Sequence, residues 1–155
     1  MPLNTQLIGK TYDEIEFTVE RDRVNQFADA IGEQDPVFRD PEAARAAGYP
    51  DQVAPPTFIT VIQLMTSGQV VLDQDLGLDY SRVVHGEQSY RYERPLVVGD
   101  SIKATPRLAS IEAKKSNEFL TIEAEVHDAK TGELVVTARS TLISRGTGGA
   151  KWPSR

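Results

Sequence analysis

Residues 55–73 read PPTFITVIQLMTSGQVVLD. Two prolines open the stretch, and proline suits the first turn of a helix, where its missing N–H is not needed. From Thr57 onward the apolar residues fall at Phe58, Ile59, Val61, Ile62, Leu64, Met65, Val70, Val71 and Leu72. That pattern covers most of a helix surface rather than one stripe, so it predicts a long buried helix. The stretch is too short and too rich in Thr and Gln to span a membrane, which takes about 20 mainly apolar residues. The chain beyond residue 81 reads as strand. The expected architecture is α+β, a curved antiparallel sheet wrapped around a long central helix.

Composition narrows the function classes. At 155 residues the chain can form one domain with a real core. Its net charge of −6 argues against a nucleic-acid binder, which would show a basic stripe. There are no cysteines, so thiolate nucleophiles, disulfides and Cys-based zinc sites are excluded. Only His85 and His127 are present, which leaves little room for a His-rich metal site. No basic region followed by an apolar core opens the sequence, so a cytoplasmic protein is expected by default.

Around the helix the chain divides readily. Residues 1–10 read as a loosely held start. Residues 12–19 alternate, with Ile15, Phe17 and Val19 on one side, which is a half-buried strand. Residues 20–31 switch to helical spacing and stop at Gly32. Asp40 is a good N-cap and Pro41 a good first helical residue for a short Ala-rich helix ending at Gly48. After the central helix come four strands, expected in hairpin succession. In the second of them Pro106, and a slip of phase between Leu108 and Ile111, predict a bulge. Gly86, inside the first, marks a bulge or a close backbone approach. The cleanest strand has Leu120, Ile122, Ala124 and Val126 inward and His127 on the polar side. Residues 128–132, DAKTG, read as a hairpin turn. Residues 1–145 are expected to form one domain and residues 146–155 a flexible tail.

Three segments carry a resemblance: AIGEQDPVFRD (30–40), VAPPTF (53–58) and YERPLVVGDS (92–101). With the order of elements, they resemble the hot-dog fold and, more narrowly, the MaoC-type dehydratases or R-specific enoyl hydratases. The resemblance spans residues 9–145, and is nearest to actinobacterial dehydratase-like proteins that include accessory subunits of a (3R)-hydroxyacyl-carrier-protein dehydratase. It implies interconversion of (R)-3-hydroxyacyl and trans-2-enoyl thioesters carried on coenzyme A or acyl carrier protein, with no further cofactor and no metal.

The family signature is Gly-Asp-x-Asn-Pro-(Leu/Ile/Val)-His, its Asp and His being the catalytic pair. Here Gly32, Pro36 and Val37 keep the frame, while Glu33 replaces the Asp, Asp35 the Asn and Phe38 the His. Proton abstraction beside a thioester carbonyl needs a positioned base, and phenylalanine has no proton to exchange. Glu33 is one methylene longer than Asp, and an error of an ångström costs on the order of 100-fold in rate. The family's central helix begins with His-Gly, the Gly N–H supporting the oxyanion. Pro55 and Pro56 stand there, and a proline nitrogen carries no hydrogen. Losing such a donor costs about 100- to 1,000-fold. Thr57 holds the nearest remaining N–H.

The resemblance therefore implies an acyl-thioester-binding, catalytically degenerate subunit that lines a tunnel with Phe38, Pro56, Thr57 and Phe58. It would act as a homodimer, or as a heterodimer with a catalytic MaoC-type homologue. Two other readings stay open. One is an active homodimeric dehydratase using Glu33, Asp35 or His85. The other is a non-enzymatic binder of acyl ligands. Each candidate also has a plain reading: Glu33 and Asp35 as loop-holding carboxylates, His85 as a structural histidine, His127 as a surface residue. Arg21, Arg23, Lys114 and Lys115 are candidates for contact with the acidic helix of an acyl carrier protein, or else a solvated face. Neither nucleic acid nor membrane is an expected partner.

Overall fold

Alternating burial builds most of the molecule. The structure, a computed structural model, describes residues 1–149. Most of the expected tail, residues 150–155, lies outside the described residues. Five strands, β1 (Ile15–Thr18), β2 (Val83–Tyr92), β3 (Ser101–Lys114), β4 (Asn117–Asp128) and β5 (Leu134–Arg145), form one antiparallel sheet. The helices are α1 (Arg21–Ile31), α2 (Pro41–Ala46) and α3 (Thr60–Val71).

The sheet does not wrap the helix, which corrects the expected curved and enclosing sheet. It is open and not strongly curled, in the order β1-β3-β4-β5-β2, so β1 and β2 are two free edges. Helix α3 lies across one face, over β1, β3, β4 and β5. Its far side is open, with Leu64 69% and Met65 44% exposed, and Leu72 just beyond it 79% exposed. A helix enclosed by sheet would hide its whole circumference. The apolar residues cover most of the helix surface, as their spacing implies, but the arc carrying Leu64 and Met65 lies beyond the reach of the sheet. The hairpin succession fails at its first step too, because β2 pairs with β5 and residues 93–100 carry the chain away to β3.

Helix α3 also starts later than residue 55. Pro55 and Pro56 have no N–H, and the turn after them is tight. The Phe58 N–H reaches Pro55 O at 2.8 Å, and that of Val61 reaches Phe58 O at 3.1 Å, both three residues back. Four-residue spacing begins where Gln63 N–H meets Ile59 O at 2.9 Å. The first half of α3 and the turn before it press Phe58, Ile59 and Ile62 onto Phe17, Ile102, Val126 and Val136. Val70 and Leu76 do the same with Leu108, Leu120 and Ile122. Each fully buried side chain of this size contributes about 1.5–3 kcal/mol.

Local chemistry fixes the connections. Gly32 ends α1 in the left-handed region, at φ 70°. Asp40 caps α2 by accepting from Glu42 N. In the β2–β3 connection Asp100 accepts from Val97 N–H and from Arg94, whose other nitrogen reaches Asp128 Oδ2 at 2.9 Å. One guanidinium thus ties this connection to the β4–β5 turn. The expected bulge in β3 falls between Leu108 and Ser110. The first ten residues are not loosely held. Leu3 is fully buried and donates its N–H to the buried Glu118 carboxylate at 2.9 Å, while Gly9 N–H bonds Leu108 O at 2.8 Å.

Candidate functional site

A groove of about 760 Å³ runs between α3 and β2. Its apolar walls include Leu64, Val71, Val83 and Leu142, and no carboxylate lines it. A second cavity of about 340 Å³ lies on the other side of the turn before α3, against Phe38, Tyr49, Val53, Pro56, Tyr92 and Leu96. Two tyrosines of β2 close the ground between. Tyr90 OH hydrogen-bonds the Thr60 hydroxyl, and Tyr92 OH donates to Pro56 O at 2.6 Å. Burial raises both phenols above the usual tyrosine range, with the Thr60 bond partly opposing it at Tyr90 and Tyr90 adding to it at Tyr92, so both stay protonated near neutrality.

A bulge sets which side chains of β2 face the groove. The register with β5 shifts between His85 and Glu87, at Gly86. Before the shift Val83 and His85 line the groove; after it Gln88 and Tyr90 do, with Ser89 between them at its border. Without the extra residue, strict alternation from His85 would turn Glu87 inward and both tyrosines outward. Space is tight at Gly86: a Cβ there would lie 2.9 Å from Ile143 Cδ1 and 3.3 Å from Thr141 O, so the neighbours would have to give way.

The structure divides the candidate residues. Thr57 and His85 border the groove, and Phe38 and Pro56 border the smaller cavity. Phe58 borders neither; it is 1% exposed, edge-on to Phe27 and tilted against Phe17. Glu33 and Asp35 line neither cavity. Glu33 Oε1 accepts the N–H groups of Gln34 and Asp35 at 2.9 and 3.0 Å. Asp35 Oδ1 caps the short turn Pro36–Phe38 through Val37 N–H at 3.0 Å. His85 is exposed, its Nε2 3.2 Å from Gln88 Oε1. Phe38 is held through its backbone: the buried Gln52 donates to Phe38 O at 2.8 Å and to Asn25 Oδ1, while Arg21 donates to Gln52 Oε1. Arg21 is further occupied by Asp51 at 3.1 Å, and Lys114 lies over the Phe119 ring and pairs with Glu112. Among the described residues no group of three His, Asp or Glu is placed to hold a metal ion, and no helix is long and apolar enough to cross a membrane.

A family model described as the FAS1-like dehydratase domain region matches residues 6–138. The chain belongs to this dehydratase-domain family. A UPF0336 protein of Saccharopolyspora erythraea is 45% identical over 148 residues, covering 95% of this chain and 94% of the relative. A solved C-terminally truncated HadBC (3R-hydroxyacyl-ACP dehydratase) complex from Mycobacterium tuberculosis includes a 28% identical chain of TM-score 0.75, with 88% of this chain and 96% of that one covered. A MaoC-like dehydratase superposes with TM-score 0.83 at 25% identity over 90% of this chain, which spans 42% of that longer protein. The MaoC-like, hot-dog character of the chain is thereby shown, with the helix laid across an open sheet.

Within this dehydratase-domain fold the sequence reading overlooked several residues. Gln63, Ser67 and Ser140 are buried and line the groove. Gln63 and Ser67 are a signal available in the sequence: a polar pair four residues apart inside an apolar run lies on one helix face. Nothing in β5 alone marked Ser140, whose position follows from the pairing of Gln88 with it.

Proposed function

We propose that this chain is an acyl-thioester-binding subunit of an (R)-3-hydroxyacyl-thioester dehydratase, working beside a catalytic homologue rather than alone. One observation carries the reading. The groups capable of proton transfer are not assembled: Glu33 and Asp35 hold their own loop outside both cavities, and His85 stands alone on the groove. Phe38 occupies the position that the motif gives to histidine, and Pro56 leaves the helix start without an N–H at the oxyanion position. The binding architecture is nonetheless kept, as an apolar groove beside a free strand edge. Exposed Tyr80 and Val84 lie just before and on β2, and exposed Leu64 lines the groove from α3, which suits a partner laid along β2. The likeness to a chain of a two-protein dehydratase complex supports the pairing. The acyl group would arrive on coenzyme A or an acyl carrier protein.

Purified alone, the chain is expected to hydrate a crotonyl thioester no faster than buffer. Mixed with a MaoC-type homologue carrying the intact Asp and His, it should form a heterodimer by native mass spectrometry, and turnover should appear. Robust turnover by the chain alone, lost on Glu33→Gln, would overturn this reading.

A second reading rests on Thr57 and His85 sharing the groove: a homodimer in which His85 handles the proton. Turnover by the chain alone that His85→Ala abolishes, and Glu33→Gln does not, would select it.

A further inference from the structure

The smaller cavity is short of free hydrogen-bond donors. Pro56 and Pro95 bring no N–H to its wall. The N–H groups of Phe38, Tyr49, Val53, Ala54 and Glu93 are spent on backbone carbonyls at 2.8–3.1 Å. The Arg94 guanidinium is spent as well, on Pro95 O, Asp100 and Asp128. Two side chains of this wall carry an O–H, Tyr49 and Tyr92.

The two hydroxyls are not equivalent. Tyr49 belongs to the loop after α2 and is 38% exposed. Tyr92 ends β2, and its O–H is aimed by the bond to Pro56 O at 2.6 Å. That bond is exposed rather than sealed in the core, and both its residues line the cavity. A tyrosine hydroxyl has one proton, which turns to suit its acceptor. It can therefore exchange Pro56 O for an acceptor on an occupant while the ring stays in place. Pro56 is an exposed residue, so water can take up the carbonyl left behind. The rest of the wall restricts that acceptor. Glu93 sets a carboxylate at the same cavity, which repels an anion, while Phe38, Val53, Pro56 and Leu96 are apolar. A neutral carbonyl on an otherwise apolar group meets both conditions.

We propose that the Tyr92 hydroxyl holds the thioester carbonyl in this chain, giving in the smaller cavity the hydrogen bond that Pro56, without an N–H, cannot give. The inference rests on the acyl-thioester-binding reading and adds to it a substrate-binding residue. It places the thioester in the smaller cavity, with the two tyrosines of β2 between it and the groove. A donor already aimed before the ligand arrives needs little reorganisation to bind it.

Calorimetry on the full chain tests this with butyryl-pantetheine and S-butyl-pantetheine, the thioether that lacks the carbonyl. The thioester should bind roughly three- to tenfold more tightly, the size of one net hydrogen bond. Tyr92→Phe should remove that preference by weakening the thioester alone. With butyryl-pantetheine isotope-labelled at its carbonyl carbon, the infrared band of the bound carbonyl should lie at lower frequency in the unaltered chain than in Tyr92→Phe. Tyr49→Phe should leave both results as they are. Equal binding of the two ligands by the unaltered chain overturns the inference and leaves the acyl-binding reading intact. So does a preference that Tyr92→Phe keeps, or one that Tyr49→Phe abolishes, or a band that Tyr92→Phe does not move. Failure of both ligands to bind overturns the acyl-binding reading as well. Should Tyr92→Phe not fold, the thioester preference of the unaltered chain and its persistence in Tyr49→Phe decide the question.

Discussion

The Tyr92 hydroxyl donates to the carbonyl oxygen of Pro56 at 2.6 Å, bridging strand β2 and the turn that launches α3. Both residues line the smaller cavity, and their neighbours Tyr90 and Thr57 line the larger groove. The bond thus stands in the partition between the two. Tyr92→Phe keeps the ring and removes only this bond. The expected loss is about 1 kcal/mol of stability, seen in urea titration as a lower midpoint with an unchanged slope.

Phe58 and Thr57 are adjacent and have opposite duties. Phe58 packs on Phe17 and Phe27 in the core, whereas Thr57 is exposed on the groove. Phe58→Ala should cost about 3–5 kcal/mol, while Thr57→Ala should stay within about 0.5 kcal/mol. Comparable losses in the two variants by chemical denaturation would contradict this placement.

At Gly86 a methyl group would press on Ile143, which can rotate away, and on the Thr141 carbonyl, which is backbone. Gly86→Ala is therefore expected to destabilise by about 1–3 kcal/mol. Thermal melting checks the cost, and amide exchange should localise the loosening to residues paired across β2 and β5.

Acid should weaken the fold through identifiable carboxylates. Hydrogen bonding from Lys10, at 2.6 Å, holds the Asp73 carboxyl below its ordinary range, with Tyr12 adding a second bond. The N–H groups of Thr131 and Lys130 do the same for Asp128, helped by Arg94. A depressed folded-state pKa gives stability that is fully present above the unfolded value of about 3.9 and is lost as pH falls through the folded value. Melting temperature should thus drop between about pH 5 and about pH 2. Asp128→Asn should lower it near neutrality and flatten that acid limb; an unchanged acid limb would count against Asp128's part.

Where the cause of structure is local, the sequence was readable. The burial of β4 alternates as Leu120, Ile122, Ala124 and Val126 foretold, and the β3 slip lies where Pro106 and the phase change placed it. Gly32, Asp40 and the 128–132 turn act as their residue types require. What escaped were relations between distant parts. That β2 pairs with β5 instead of β3 depends on a long excursion, and alternation says nothing of partners. The exposed arc of α3 depends on how far the sheet reaches beneath it. Likewise the motif frame identified Phe38 and Pro56, but not that Glu33 and Asp35 would point their carboxylates back into their own loop, nor that Gln63 would be turned inward unpaired.

The bulge in β2 has a consequence for self-association. A free strand edge is a template on which further chains can add without limit, and such growth requires an uninterrupted row of backbone groups. The register break at Gly86 interrupts that row near the middle of the edge strand. An arbitrary flat strand can therefore zip along only one side of the break, whereas a partner with a matching irregularity can follow both. The same glycine that aims His85 and Tyr90 thus also guards the chain against open-ended polymerisation.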